Sequence, residues 1–244
     1  MIVRPDGEHW LLIRQPDHAA MAAEVLAHWQ ADGLPGRPTR EVVLHATREH
    51  DCGWAEEDDA PTVNPETGEP WDFIRLPVER RQAVWYRAMR LLAETPHVAA
   101  LVAHHAVTAY ARYESEPGWK EFFRTMSRER DDRVSTLSRA GRATFDSFLR
   151  DYTSLRSADL ISLALCHGWQ DRFEIDYYKG VTNGPVLTLT PDPFDGATIG
   201  WRVAARRVSR RAYASDADLQ AAYARAPVEW ISGHVQGLPE PLPS

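Results

Sequence analysis

An adjacent histidine and aspartate, His50 and Asp51, stand at the end of an apolar-periodic stretch that begins near Glu41. The spacing predicts an amphipathic helix, and Gly53 supplies the expected stop. An imidazole and a carboxylate side by side at a helix end can both turn toward one point. They could bind a divalent metal ion if further ligands arrive from elsewhere in the chain.

Side chains of the ligand types occur in two other helical patterns. His18 lies in the first turn of a predicted helix for which Asp17 can serve as the cap. His104 and His105 lie in the most apolar helical pattern, which runs from residue 97 to 110. Two adjacent imidazoles there cannot both face away from the core.

Asp159 interrupts a late apolar run that predicts a short buried helix over residues 158–166, capped by Ser157. Buried aspartates are normally paired or bound to a metal. A helix-start carboxylate held by backbone amides is the alternative interpretation of Asp159 taken alone.

Two imidazoles and two carboxylates would meet if these helices pack together, namely His18, His50, Asp51 and Asp159. Such a set suits one divalent transition metal ion (Mn, Fe, Co, Ni or Zn) with open coordination positions. A second ion could be bridged by Asp51 and held by His105 or His104. A bound metal ion lowers the pKa of water and so makes a nucleophile at neutral pH.

The order of these residues resembles the HD superfamily of metal-dependent phosphohydrolases, which is helical at its core. The resemblance implies metal ligands at His18, His50, Asp51 and Asp159, with His105 or His104 as the added ligand of a dinuclear site.

A narrower resemblance covers most of the chain. Its motifs are similar to those of an uncharacterised bacterial domain family of unknown function, and they are Gln15-Pro-Asp-His18, His50-Asp-Cys-Gly-Trp54, Asn64-Pro-Glu-Thr-Gly-Glu-Pro70 and Asp159-Leu-Ile-Ser-Leu163. This resemblance implies no activity, and it favours His105 over His104. The chain departs from that pattern at residues 56–59, which are acidic here in place of an aromatic.

Apolar periodicity predicts a mainly α fold, an HD-like helical bundle, with a small antiparallel β-sheet formed by the N-terminal and C-terminal strands (α+β). Two strands are predicted before residue 14. Late in the chain, strands are predicted at 186–190, 198–208 and 228–235, and one short helix at 216–225. A long helix or two is predicted over 119–152. We expect one domain over 1–244, with a helical core at 15–170, a β-rich appendage at 1–14 and 173–236, and a loose tail at 237–244.

Composition excludes several classes of protein. The net charge of −7 argues against a nucleic-acid polymer as partner, and no apolar run reaches the ~20 residues that span a bilayer. Two cysteines make no disulfide framework, which together with the lack of a signal peptide predicts a cytoplasmic location. A homodimer remains open.

The leading functional hypothesis is hydrolysis of a small phosphate ester or nucleotide by metal-activated water. Asp51 would position the water, and a carboxylate of the long 54–77 connection, Glu56, Glu57 or Asp58, would transfer a proton. The substrate contacts would come from Arg14, Arg48 or Arg156, with Trp54.

Two alternatives are an HD-type di-iron oxygenase, for which His97, His104 and His105 would supply added ligands, and a non-catalytic HD-like protein that binds a ligand or partner. A thiol nucleophile at Cys52 is disfavoured because its neighbour His50 is committed to the metal.

Overall fold

The computed structural model describes residues 1–169 and 172–239. In chain order the elements are β1 (Ile2–Asp6), β2 (His9–Ile13), α1 (Gln15–Leu26), α2 (Arg40–Glu49), α3 (Ala55–Asp59), α4 (Val78–Leu91), α5 (Pro96–Ala109), α6 (Lys120–Arg139), α7 (Phe145–His167), β3 (Arg172–Ile175), β4 (Tyr178–Asn183), β5 (Val186–Thr190), β6 (Thr198–Ser209), α8 (Asp216–Arg225) and β7 (Val228–Gly237). No helix of the described residues is long and apolar enough to cross a membrane.

Within the described ranges the strands form one seven-stranded sheet in the order β1-β2-β6-β7-β5-β4-β3. All neighbours are antiparallel except β5 and β7, which pair in parallel from Val186 opposite His234 to Leu189 opposite Gly237. Of the described residues, 49% are helical and 21% lie in strands. The predicted HD-like helical bundle with a small antiparallel sheet of terminal strands is therefore wrong. Strands β3 and β4 were not expected, and parallel pairing depends on long-range contacts that local periodicity does not encode.

Helices α1 and α7 pack on one face of the sheet. Alternate residues of β6 point toward them, including Ile199, Trp201 and Val203, which are buried with Val25 of α1 and Ile161 of α7. The shorter α8 covers part of the opposite face, where Trp10, Val208 and Leu219 are buried together.

A second core lies among α2, α4, α5, α6 and the first half of α7. The predicted burial of α5 is confirmed, since its residues from Val98 to Ala103 are all buried. Helix α7 contributes Phe148 and Leu155 to this helical core and then Ala158 and Ile161 to the core against the sheet. Asp159 therefore lies where the two cores meet.

Several predicted element boundaries are confirmed, among them those of β5 and α8. Others are wrong. Ser157 caps no helix, because α7 begins at Phe145 with Thr144 as its cap and continues unbroken to His167. Asp17 lies inside α1, which follows Arg14 without a side-chain cap. Of the predicted tail, residues 240–244 lie outside the described residues, while β7 extends to Gly237.

Candidate metal centre

Four helices bring the predicted ligands together in one buried cluster. His18 comes from the first turn of α1, His50 and Asp51 from the end of α2, His105 from α5 and Asp159 from the middle of α7. Two overlapping groups have ligand atoms that all lie within 4.8 Å of one another: His18, His50 and Asp51 form one, and His50, His105 and Asp159 form the other. We name these five residues the metal cluster.

A backbone carbonyl determines which nitrogen of His50 is free to bind. His50 Nδ1 lies 2.7 Å from the carbonyl oxygen of Thr47, which can only accept a hydrogen bond, so Nδ1 carries the proton. Nε2 then points at two carboxylates, 3.2 Å from Asp159 Oδ1 and 3.6 Å from Asp51 Oδ2. It makes no hydrogen bond of good geometry there. A proton or a metal ion at Nε2 would satisfy this arrangement.

His18 is oriented in the same way by a serine. Ser162 Oγ donates its proton to the carbonyl of Asp159 at 2.8 Å, so it accepts from His18 Nδ1 at 2.7 Å. The other nitrogen, Nε2, faces Asp51 Oδ2 at 2.8 Å. Fixing Nδ1 as the donor is the usual way in which outer residues present a histidine Nε2 to a metal.

His105 belongs to the second group, with His50 and Asp159. Its Nε2 lies 3.7 Å from Asp159 Oδ2, and its Nδ1 lies 3.4 Å from the hydroxyl of Tyr152. The ring meets that of His50 edge to face, with centroids 5.0 Å apart. Three imidazole nitrogens thus surround two carboxylates.

The charges in the cluster favour a cation at His50. Burial alone would lower the pKa of His50, but the carboxylates of Asp51 and Asp159 outweigh it and raise that pKa to about 9. Burial would raise the pKa of Asp51 and of Asp159, yet the surrounding imidazoles hold both pKa values below the usual range. Burial lowers the pKa of His105 to about 4, so this imidazole stays neutral.

Close packing positions the turn that carries Asp51. A Cβ at Gly53 would lie 1.9 Å from the carbonyl oxygen of Val84 in α4, so no larger residue fits. Arg87 of α4 donates to the carbonyl of Gly53 at 2.5 Å. The turn after α2 is therefore held directly against α4.

A small cavity of about 100 Å³ opens beside the metal cluster. Asp51, His105 and Asp159 line one part of it. Four aromatic residues form part of the remaining walls, namely Trp54, Phe73, Trp85 and Tyr110. The polar residues Gln15, Arg81 and Arg112 and the aliphatic residues Ile74, Ala109 and Leu163 form the rest. Of the predicted substrate contacts, only Trp54 lines this cavity.

Other predicted site residues lie elsewhere. His104 faces away from the cluster, with Nδ1 3.4 Å from Arg130 and its ring 4.3 Å from that of Tyr152. Glu56 is exposed and pairs with Arg87. Asp58 is buried between the amino group of Met1, at 2.5 Å, and the backbone N–H of Gln15, at 2.6 Å.

The predicted arginine and carboxylate contacts to substrate also fall outside the cavity. Arg14 pairs with Asp59 and lines a separate groove, Arg48 is exposed on α2, and Arg156 pairs with Asp176. Glu57 pairs with Arg80. Helical periodicity places these residues on elements but does not determine which face meets the cavity.

Sequence reasoning missed Arg81, which lines the cavity. A signal was present, because Arg81 occupies the apolar stripe of α4 with Val84, Trp85 and Ala88, all of them buried. It also missed Arg112 and Gln15 in the same lining. The buried side-chain oxygen of Gln15 has no hydrogen-bond partner among the described residues.

The two cysteines form no disulfide, and burial disfavours the thiolate at both. Burial, with Glu49 and Asp51 nearby, raises the pKa of Cys52 to about 12, and burial also raises the pKa of Cys166. Both therefore stay protonated at neutral pH, which agrees with the low rank given to a thiol nucleophile.

Residues 1–210 match the model of a family described as "Protein of unknown function (DUF3891)". The chain belongs to this family. No curated protein and no solved structure matches it. In this DUF3891 protein the matched region contains the whole metal cluster and every residue that lines the cavity beside it.

Proposed function

We propose that this DUF3891 protein is a metal-dependent hydrolase of the HD type that acts on a small phosphate ester. The observation that supports the proposal is the convergence of the Nε2 atoms of His18, His50 and His105 on the carboxylates of Asp51 and Asp159. A purely structural cluster would not need three imidazoles around two carboxylates at the end of a cavity.

The donor set fits a divalent transition metal ion. Neutral imidazoles and carboxylates are the ligands that Mn, Fe, Co, Ni and Zn accept, and His50 Nε2 is buried without a hydrogen-bond partner. Such an ion, when bound, supplies Lewis acidity and lowers the pKa of water. His50 belongs to both groups of nearby ligand atoms, so one ion could be held by His50 with His18 and Asp51, or by His50 with His105 and Asp159. A second ion would take the remaining ligands of the other group.

The residues around the metal cluster orient its imidazoles and limit the access of water. Thr47 and Ser162 hold the imidazoles of His50 and His18 with their Nε2 atoms toward the carboxylates. Trp54 and Trp85 line the adjoining cavity with apolar surface and limit the entry of bulk water. Interactions between charges are stronger in such a site than in water.

Two of the three histidines named for the oxygenase alternative, His97 and His104, lie away from the metal cluster. His97 lies beside Asp151, with Nε2 4.0 Å from Oδ2, and His104 contacts Arg130. Neither belongs to a metal-binding group among the described residues. Hydrolysis therefore remains the function that this geometry supports best.

The proposal is tested by metal content together with a screen of phosphomonoesters and nucleotides. We expect the purified protein to contain at least one divalent transition metal ion per chain and to release inorganic phosphate from one substrate class. His105→Ala should lower metal content or turnover, whereas the matched variant His104→Ala should keep both.

Replacing His50 by alanine should abolish both metal binding and turnover. A protein that keeps its metal and its turnover after His50→Ala, or one that binds no metal at all, would contradict the proposal. Metal binding without turnover of any phosphate ester would instead favour the non-catalytic alternative.

A further inference from the structure

Arg81 is a buried guanidinium without a carboxylate partner. The residue is only 8% exposed. Among the described residues, its Nε has no hydrogen-bond partner and no carboxylate forms an ion pair with it. Buried arginines are almost always paired, because an uncompensated charge in the interior is costly. The missing partner of Arg81 therefore calls for an explanation.

Aromatic rings hold Arg81 without using its hydrogen-bond donors. The guanidinium carbon lies 5.0 Å from the ring centroid of Tyr113, 5.1 Å from that of Trp119 and 5.8 Å from that of Tyr110. Ring contacts of this kind occupy the flat faces of a guanidinium, whereas its N–H groups point outward in its plane. Arg81 is thus positioned in advance, with donors left for another group.

Arg81 lines the cavity beside the metal cluster. The second arginine of that lining, Arg112, is exposed and donates to the hydroxyl of Tyr113. Arg81 and Asp51, His105 and Asp159 line the same space of about 100 Å³. A cavity of this size holds a small head group and not a drug-sized ligand, which fills about 300–1,000 Å³. An anion placed there would lie between a guanidinium and a metal ion.

From this geometry we infer that Arg81 binds the phosphoryl oxygens of the substrate and selects small phosphomonoesters. This inference rests on the proposed function and adds the substrate class and the residue that recognises it. A guanidinium fork matches two oxygens of a phosphate at once, which a lysine does not. Gln15, whose buried side-chain oxygen has no partner, lines the same cavity and can accept a hydrogen bond from the substrate.

The inference is tested by calorimetric binding of inorganic phosphate to the full chain, with Mn²⁺ and without it. Arg81→Met should weaken phosphate binding about 10- to 100-fold, since hydrogen bonds to a charged group are lost. Arg81→Lys keeps the charge but not the fork and should give an intermediate affinity. Arg90→Met removes an exposed arginine from the same helix and should bind phosphate as the wild type does.

Metal binding is the second readout. Arg81→Met should bind Mn²⁺ with unchanged affinity, because Arg81 is not in the metal cluster. If Arg81 only supports the aromatic core, Arg81→Met will lower the unfolding temperature but leave phosphate affinity unchanged, and that result overturns the inference. Tighter Arg81-dependent binding of acetate than of phosphate also overturns it, since the anion would then be a carboxylate.

The failure of this inference differs from the failure of the proposed function. A wild-type protein that binds no Mn²⁺ contradicts the metal-dependent hydrolase, yet Arg81-dependent phosphate binding can still be measured in that protein. Conversely, an intact metal site with phosphate binding that is indifferent to Arg81 contradicts only the assignment of Arg81.

Discussion

Helix α7 carries two buried aspartates in two similar surroundings. Asp151 faces His97 of α5, and Asp159, about two turns later, faces His105, also about two turns later on α5. The serines repeat the spacing, because Ser154 lies beside Arg37 near Asp151 and Ser162 lies beside His18 near Asp159. The two sites share residue types, and they differ in what balances the carboxylate.

The negative charge of Asp151 is balanced by a positively charged side chain of the protein, Arg37. Arg37 Nη1 lies 3.2 Å from Asp151 Oδ1, and the hydroxyl of Thr39 donates to the same oxygen at 2.9 Å. At Asp159 no arginine or lysine is in ion-pair contact among the described residues, and only imidazoles approach. A buried carboxylate with a guanidinium is complete, whereas carboxylates surrounded by imidazoles can still take up a cation.

The largest contrast is expected from the two aspartate-to-asparagine variants. Asp159→Asn should weaken metal binding at least about 100-fold. Losing a metal ligand should reduce metal affinity at least as much as losing a residue that only hydrogen-bonds to a ligand. Asp151→Asn should leave metal affinity unchanged. Isothermal titration calorimetry with Mn²⁺ measures the metal affinity of both variants. Equal losses of affinity in the two variants would show that the two sites do not differ in metal binding.

Removing the guanidinium of Arg37 should reduce the stability of the protein without affecting metal binding. Arg37→Met leaves a buried carboxylate without its cation and should lower the free energy of unfolding by about 3 kcal/mol. Added Mn²⁺ should not restore the loss. Arg150→Met, which removes an exposed arginine of α7, serves as the control in chemical denaturation. If Arg37→Met is as stable as this control, Arg37 does not balance Asp151.

Alanine variants of the two serines should differ in metal affinity, by less than the two aspartate variants do. Ser162→Ala frees His18 Nδ1 and should reduce metal affinity about 10- to 100-fold. Ser154→Ala should not change it, since Ser154 contacts Arg37 and Arg150 and not a metal ligand. A Ser162→Ala protein with wild-type metal affinity would mean that the serine does not orient His18.

The smallest effect concerns the pH dependence of the metal-free protein. His50 has a folded-state pKa of about 9 against an ordinary value of 6.5. Its contribution to stability is therefore fully present below about pH 6.5 and is lost as the pH rises through 9. In the presence of a chelator, the unfolding temperature should decrease as the pH is raised from 7 to 9.5. Added Mn²⁺ should reverse this decrease. Stability that rises with pH over this range would show that the carboxylates do not hold a proton on His50.

Sequence reasoning came closest to the structure where chemistry and local pattern coincide. His18, His50, Asp51 and Asp159 were chosen because polar residues interrupt apolar helices, and the structure brings all four together. The choice between His104 and His105 could not be made from helix periodicity alone, because the orientation of α5 depends on α4, α6 and α7 packing around it. The same limit explains why Arg14 and Arg48 were selected and Arg81 was not.

The amino-acid sequence by itself determined the burial of α5, the turn at Gly53 and most strand positions, because hydrophobic periodicity and glycine geometry act locally. Only the tertiary structure decided that the described strands form one seven-stranded sheet, that Asp58 faces the amino group of Met1 and that Arg81 lines the cavity beside the metal cluster. These features join residues far apart in the chain. Their positions follow from how helices and sheet pack together, which no single stretch of sequence encodes.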